Sequence, residues 1–146
     1  MKTINLKFLS FIITLSFLVL SSCGDKKGAK KSETDLAKEA TAVYEITALT
    51  NHEYTFNGGG LEKVINPDLT LKRGATYLFK IDAIGHPFYI KTVQGIGKEN
   101  AYDKGVTNMA TDYGTVTFTV PKDAPATLFY NCEFHKMMTG KITIVD

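Results

Sequence analysis

The 146-residue chain has no tryptophan, two cysteines, three histidines and four methionines. Two cysteines allow at most one disulfide, so a multiply bridged secreted scaffold is excluded. With so few histidines and methionines there is no His-rich or Met-rich tract of the kind that gathers metal by composition. Charge of one sign is also missing: 17 Lys and Arg stand against 15 Asp and Glu. No basic patch with interleaved aromatics points to nucleic acid. No internal repeat is present, and the length allows one ordinary domain.

The N-terminus is organised differently from the rest. Lys2 and Lys7 form a positive segment, and Phe8 to Leu20 is apolar apart from Ser10, Thr14 and Ser16. That run is too short for a comfortable membrane span and fits a secretory signal peptide. It ends in Leu20-Ser21-Ser22-Cys23, which resembles the bacterial lipobox, in which the cysteine is lipidated and becomes the mature N-terminus. The competing reading is a plain signal peptide with an incidental cysteine. The resemblance implies residues 1–22 as a lipoprotein signal peptide, Cys23 as the lipidation site, and a lipid-anchored location in the bacterial envelope, periplasmic or at the outer membrane. Loss of Lys2 and Lys7 would leave 15 basic and 15 acidic residues. Residues 23–40 are polar, with Leu36 the single large aliphatic residue, and read as a lipidated flexible tether. A short helix over 34–40, capped by Ser32 or Thr34, is compatible with the stretch.

Residues 41–146 read as one β-rich domain. All seven Tyr and six of the nine Phe fall here and alternate with Val and Thr in short runs. Strands are expected at 42–49, 53–57, 69–72, 76–82, 86–92, 115–120, 126–131 and 140–145. Period-two alternation places Val116, Phe118 and Val120 on one face, Tyr77, Phe79 and Ile81 on another, and Ile142 with Ile144. Gly58 to Gly60, Asn66-Pro67-Asp68, Arg73-Gly74 and Pro121 to Pro125 mark turns. Residues 93–114 read as a long loop with at most one short helix or strand.

If Cys23 carries lipid, Cys132 is a lone thiol in an oxidising compartment, which calls for a reason such as metal ligation. Cys132, His135, Met138 and Gly140 occur as C-x2-H-x2-M-x-G between two expected strands. A thiolate, an imidazole and a thioether on one short loop suit copper that alternates between Cu(I) and Cu(II). A second imidazole must come from elsewhere. His86, at the start of the 86–92 strand, shares parity with Phe88 and Ile90 and so points inward at a strand end. Cys132 as a small core residue, His86 as a histidine bonded to backbone, and Met137 rather than Met138 as the thioether are the readings that compete. His52, beside Glu53, reads as an exposed turn residue, and Met109 has no argument beyond its type.

On these residues the domain resembles a cupredoxin of the plastocyanin, amicyanin and azurin kind, most clearly over 67–91 and 114–146. The resemblance implies an all-β, Greek-key two-sheet sandwich and one type 1 copper ion held by His86, Cys132, His135 and Met138. It implies a monomeric carrier of single electrons rather than an enzyme. Its partner would be a redox protein, a cytochrome or copper oxidoreductase, with Phe134 and Met137 as an apolar docking patch. Copper carriage or storage is the alternative. A catalytic red-copper site using Glu133 is a third reading, disfavoured because that side chain points away from Cys132. A dinuclear site would need a second cysteine near Cys132. Many cupredoxins place Asn after the first histidine, where it braces the cysteine loop; here that position is Pro87, and Asn131 or Thr139 are the candidates to replace it.

Overall fold

In a computed structural model, residues 31–146 are described, and they form one compact unit from Lys31 to Asp146. Expectations for the signal peptide and for Cys23 fall on residues outside this range. A short helix, α1 (Glu33–Glu39), comes first, and Ser32 caps it by accepting from the Asp35 amide at 3.2 Å. The helix lies within the stretch read as tether, and Thr115 Oγ1 donates to Glu33 Oε1 at 2.7 Å, so it is docked on the domain.

Ten strands follow: β1 (Ala42–Thr50), β2 (Glu53–Gly58), β3 (Leu61–Ile65), β4 (Leu69–Lys72), β5 (Thr76–Asp82), β6 (Phe88–Lys91), β7 (Val106–Thr107), β8 (Tyr113–Thr119), β9 (Thr127–Cys132) and β10 (Thr139–Val145). They make a two-sheet sandwich. One sheet runs β3-β2-β1-β5-β8-β7 and the other β4-β10-β9-β6. Two pairings are parallel, β1 with β5 and β4 with β10, and the rest are antiparallel.

The alternating residues meet between the sheets. Tyr44, Ile46, Tyr54, Phe56, Tyr77, Phe79, Val116 and Phe118 from one sheet close on Leu71, Phe88, Ile90, Leu128, Tyr130 and Ile142 from the other. Burying each such side chain contributes about 1.5–3 kcal/mol. Aromatic rings are the bulk of it: Phe88 stacks on Tyr130 at 5.5 Å and on Phe79 at 5.5 Å, and Phe79 on Tyr44 at 5.3 Å.

β3 falls outside the expected strands, and β7 is the one short element allowed within 93–114. β3 is an edge strand whose residues are mostly exposed, so it carries no hydrophobic alternation, and Lys63 at positive φ interrupts its extended backbone. β7 is only two residues long. The expected strand at 86–92 is shorter than thought: it begins at Phe88, and His86 precedes it in a turn. All four residues of β6 are buried, but Phe88 and Ile90 face the core between the sheets and Tyr89 and Lys91 the outer side. The 93–114 region contains no helix; after a single bridge between Lys91 and Ala101 it reaches β7.

Gly140 is a packing requirement. A Cβ there would lie 2.5 Å from both the Pro67 carbonyl oxygen and the Tyr130 hydroxyl, and that hydroxyl donates to the same carbonyl at 2.9 Å. Gly140→Ala is therefore expected to destabilise the domain by about 1–3 kcal/mol, read as a lower midpoint in denaturant unfolding with unchanged slope. An unchanged midpoint would mean that Tyr130 can move aside freely.

Candidate metal centre

Cys132 ends β9 on the inward-facing row that includes Leu128 and Tyr130, so its thiol points into the core at one pole of the sandwich. In the β6–β9 ladder Phe88 is the Cα partner of Cys132. His86, two residues earlier, therefore overhangs the same pole. The turn that carries it is fixed by Gly85 at φ +83°, a conformation that favours glycine. The Gly85 amide donates to Asp112 Oδ2 at 2.8 Å, and the His86 amide to the Ala83 carbonyl at 2.8 Å.

After Cys132 the chain turns through His135 and Met138 into β10. The Cys132 amide donates to the Met138 carbonyl at 2.9 Å, and the Met138 amide to the His135 carbonyl at 3.2 Å. The Phe134 amide points at Cys132 Sγ, 3.4 Å away. Three donor atoms converge as a result. His86 Nδ1 lies 3.1 Å from His135 Nδ1, and Cys132 Sγ lies 3.9 Å and 3.5 Å from those two nitrogens. A triangle of these sides has its centre about 2.0 Å from every corner, which matches ordinary metal–imidazole and approaches metal–thiolate distances. The residues present thus fit a trigonal His₂Cys ion. This trio is a metal-capable group among the described residues.

The two methionines of the loop differ sharply. Met138 is 0% exposed and packs in the core, whereas Met137 is 64% exposed. His52 is exposed, as expected of a turn residue. Glu133 turns away from the thiol: its carboxylate accepts from the Tyr89 hydroxyl at 3.2 Å and lies 3.7 Å from Lys98 Nζ. Burial, then the neighbouring His135, holds the His86 imidazole below its ordinary pKa, and Asp112 pulls the other way.

Neither Asn131 nor Thr139 ties the His86 turn to the cysteine loop. Asn131 Oδ1 accepts from the Gly95 amide at 3.1 Å, while Thr139 Oγ1 donates to the Tyr130 carbonyl at 2.7 Å and receives Gln94 Nε2 at 3.0 Å. The bracing comes from residues the sequence did not single out. Tyr54 Oη donates to the His86 carbonyl at 2.7 Å, with the Pro87 carbonyl at 3.3 Å. The Glu133 amide donates to that Pro87 carbonyl at 3.1 Å. Asn66 Nδ2 donates to the Met137 carbonyl at 3.1 Å and to the His52 carbonyl at 3.2 Å. Burial first, then proximity to Cys132, pushes the Tyr54 phenol up, so it stays a donor. One signal was available: Tyr54 shares strand parity with Phe56, and a buried tyrosine hydroxyl needs a partner.

No family model matches the chain, and no curated protein matches it. The chain is similar to rusticyanin. The 1.27 Å structure of that protein from Thiobacillus ferrooxidans shares 23% identity over 70% of this chain and 76% of its own, at a TM-score of 0.44. Reduced rusticyanin shares 21% identity over 70% and 78%, at 0.42. A variant of the multicopper oxidase McoA from Aquifex aeolicus shares 19% identity over 71% of this chain and 26% of its own, at 0.40.

Tyr54→Phe removes one hydroxyl and leaves the His86 carbonyl without its partner. The expected cost is about 1–3 kcal/mol, with faster amide exchange at Gly85 and His86 than at Phe79. Unaltered exchange at those two amides would remove Tyr54 from the brace.

Proposed function

We propose that this chain is a type 1 copper protein that carries single electrons between redox partners outside the cytoplasm. The observation that carries the reading is the convergence of His86 Nδ1, His135 Nδ1 and Cys132 Sγ within 3.9 Å of one another. Copper, when bound, supplies the one-electron redox chemistry. The chain's own residues hold the donors. Cys132 is anchored by a strand, His86 by the Tyr54 and Asp112 contacts, and His135 by a loop tied to itself through two backbone hydrogen bonds. Were the Met138 thioether to complete the donor set, copper would have no coordination position left for a substrate, which favours transfer over catalysis.

His135 is the exit for the electron in this reading, because its ring belongs to the loop at the pole and is only half-buried. Phe134 and Met137 beside it are 58% and 64% exposed and supply an apolar docking surface for a redox protein. Cys23 is the proposed lipid attachment site, following Leu20-Ser21-Ser22. The monomer is then tethered to a bacterial envelope membrane through residues 24–32, ahead of α1.

Cu(II)-loaded protein should show an intense visible thiolate-to-copper band, absent from Cys132→Ser although that variant remains folded. Met138→Leu should raise the reduction potential in voltammetry while copper stays bound, and Met137→Leu should change it little. Rapid transfer of copper to a chelator when the wild type is reduced would make the chain a carrier instead. Mass spectrometry of protein from its native membrane should find a diacylated Cys23 as the first residue; a soluble mature form that starts elsewhere contradicts the anchor.

A further inference from the structure

Lys91 is 1% exposed, at the end of β6 on the outer face of the β4-β10-β9-β6 sheet. A buried ammonium is costly unless its protons are used. Here Nζ donates to the Gly95 and Gly97 carbonyls at 2.7 Å each, with the Ile96 carbonyl at 3.4 Å, and it lies 5.7 Å from the Tyr89 ring centre. Three successive carbonyls turned toward one cation give segment 95–97 its shape. Burial lowers the Lys91 pKa, and the Glu99 and Glu133 carboxylates oppose that shift.

The segment so shaped reaches the metal loop by two routes. The Gly97 amide donates to the carbonyl of Glu133, the residue after Cys132, at 2.7 Å. The Gly95 amide donates to Asn131 Oδ1, just before Cys132, at 3.1 Å. The two chain neighbours of Cys132, Asn131 through its side chain and Glu133 through its carbonyl, are therefore held by a segment that Lys91 gathers.

We propose that Lys91 is a positioning residue of the metal centre: its buried ammonium folds residues 95–97 into a cap that holds the Asn131 side chain and the Glu133 carbonyl, on either side of Cys132. This rests in part on the copper reading, since the thiol matters most as a ligand. Lys91 touches none of the donor atoms and acts only through that cap.

The test begins with apo-protein, where no metal is required. In Lys91→Met, which keeps length and loses charge, amide exchange at Gly95 and Gly97 should rise by at least about tenfold, while Phe79 and Phe118 in the core stay as in the wild type. Cu(II) added to the same variant should give a thiolate band displaced from the wild-type position. Unchanged exchange at Gly95 and Gly97, or loosened exchange with an undisplaced band, overturns the proposal. A merely structural lysine would loosen the core without moving the band selectively. Should the variant fail to fold, lysine-selective 15N NMR of the wild-type apo-protein decides: the Lys91 ammonium protons should persist at neutral pH when those of exposed Lys122 and Lys141 have exchanged. Equal exchange overturns the cage. If wild-type protein takes up Cu(II) without a thiolate band, the copper reading fails, and the exchange measurements still judge Lys91.

Discussion

The β6–β9 ladder sets Phe88 opposite Cys132, and the Glu133 amide adds one more rung to the Pro87 carbonyl. Those hydrogen bonds bring His86 to the thiol across 46 residues of sequence. A slip of one residue in that ladder would turn Cys132 to the outer face and Asn131 inward, because side chains alternate along a strand. Register is held firmly here because Phe88, Ile90, Leu128 and Tyr130 all need the same interior face. The aromatic core is thus the device that places the donors, well before any ion arrives.

Two imidazole nitrogens 3.1 Å apart beside a thiol form a crowded set of lone pairs, best satisfied by a cation or a shared proton. Holding them so close requires restraint from behind, supplied by Tyr54, Asn66 and Asp112 through backbone atoms rather than through the rings. The outer face of the same strand pair offers the complementary arrangement, carbonyl oxygens drawn around the fixed charge of Lys91. The residues around Cys132 are held from both faces, which keeps the donor triangle in shape.

The three side chains whose donor atoms converge, His86, Cys132 and His135, stood out in the sequence because such residues are chemically unusual and two of them are closely spaced. Cys132, His135 and Met138 fall within one loop, and His86 was found as the remaining inward-facing imidazole. The core strands were legible where alternation is strict, as in Val116, Phe118 and Val120. What stayed hidden depends on distant partners. Tyr54 looks like any strand tyrosine until its hydroxyl meets the His86 carbonyl. Lys91 reads as a surface residue until residues 95–97 close over it. The replacement for a bracing asparagine was sought near Cys132, at Asn131 and Thr139, whereas the brace comes from β2 on the opposite sheet. β3 escaped because an exposed edge strand has no periodic face to bury.

The parallel pairing of β4 with β10 has a consequence for how the molecule is made. Ile142 lies beside Leu69 and Ile144 beside Leu71, so the smaller sheet cannot assemble until the chain has been delivered as far as its final strand. Contacts of such long sequence separation slow folding into the millisecond-to-second range, because loop closure must precede any gain from pairing. The cysteine loop lies between the last two strands of that sheet. The geometry of its donor atoms is consequently a late product of folding, and the thiol of Cys132 stays unshielded until the last strand has paired.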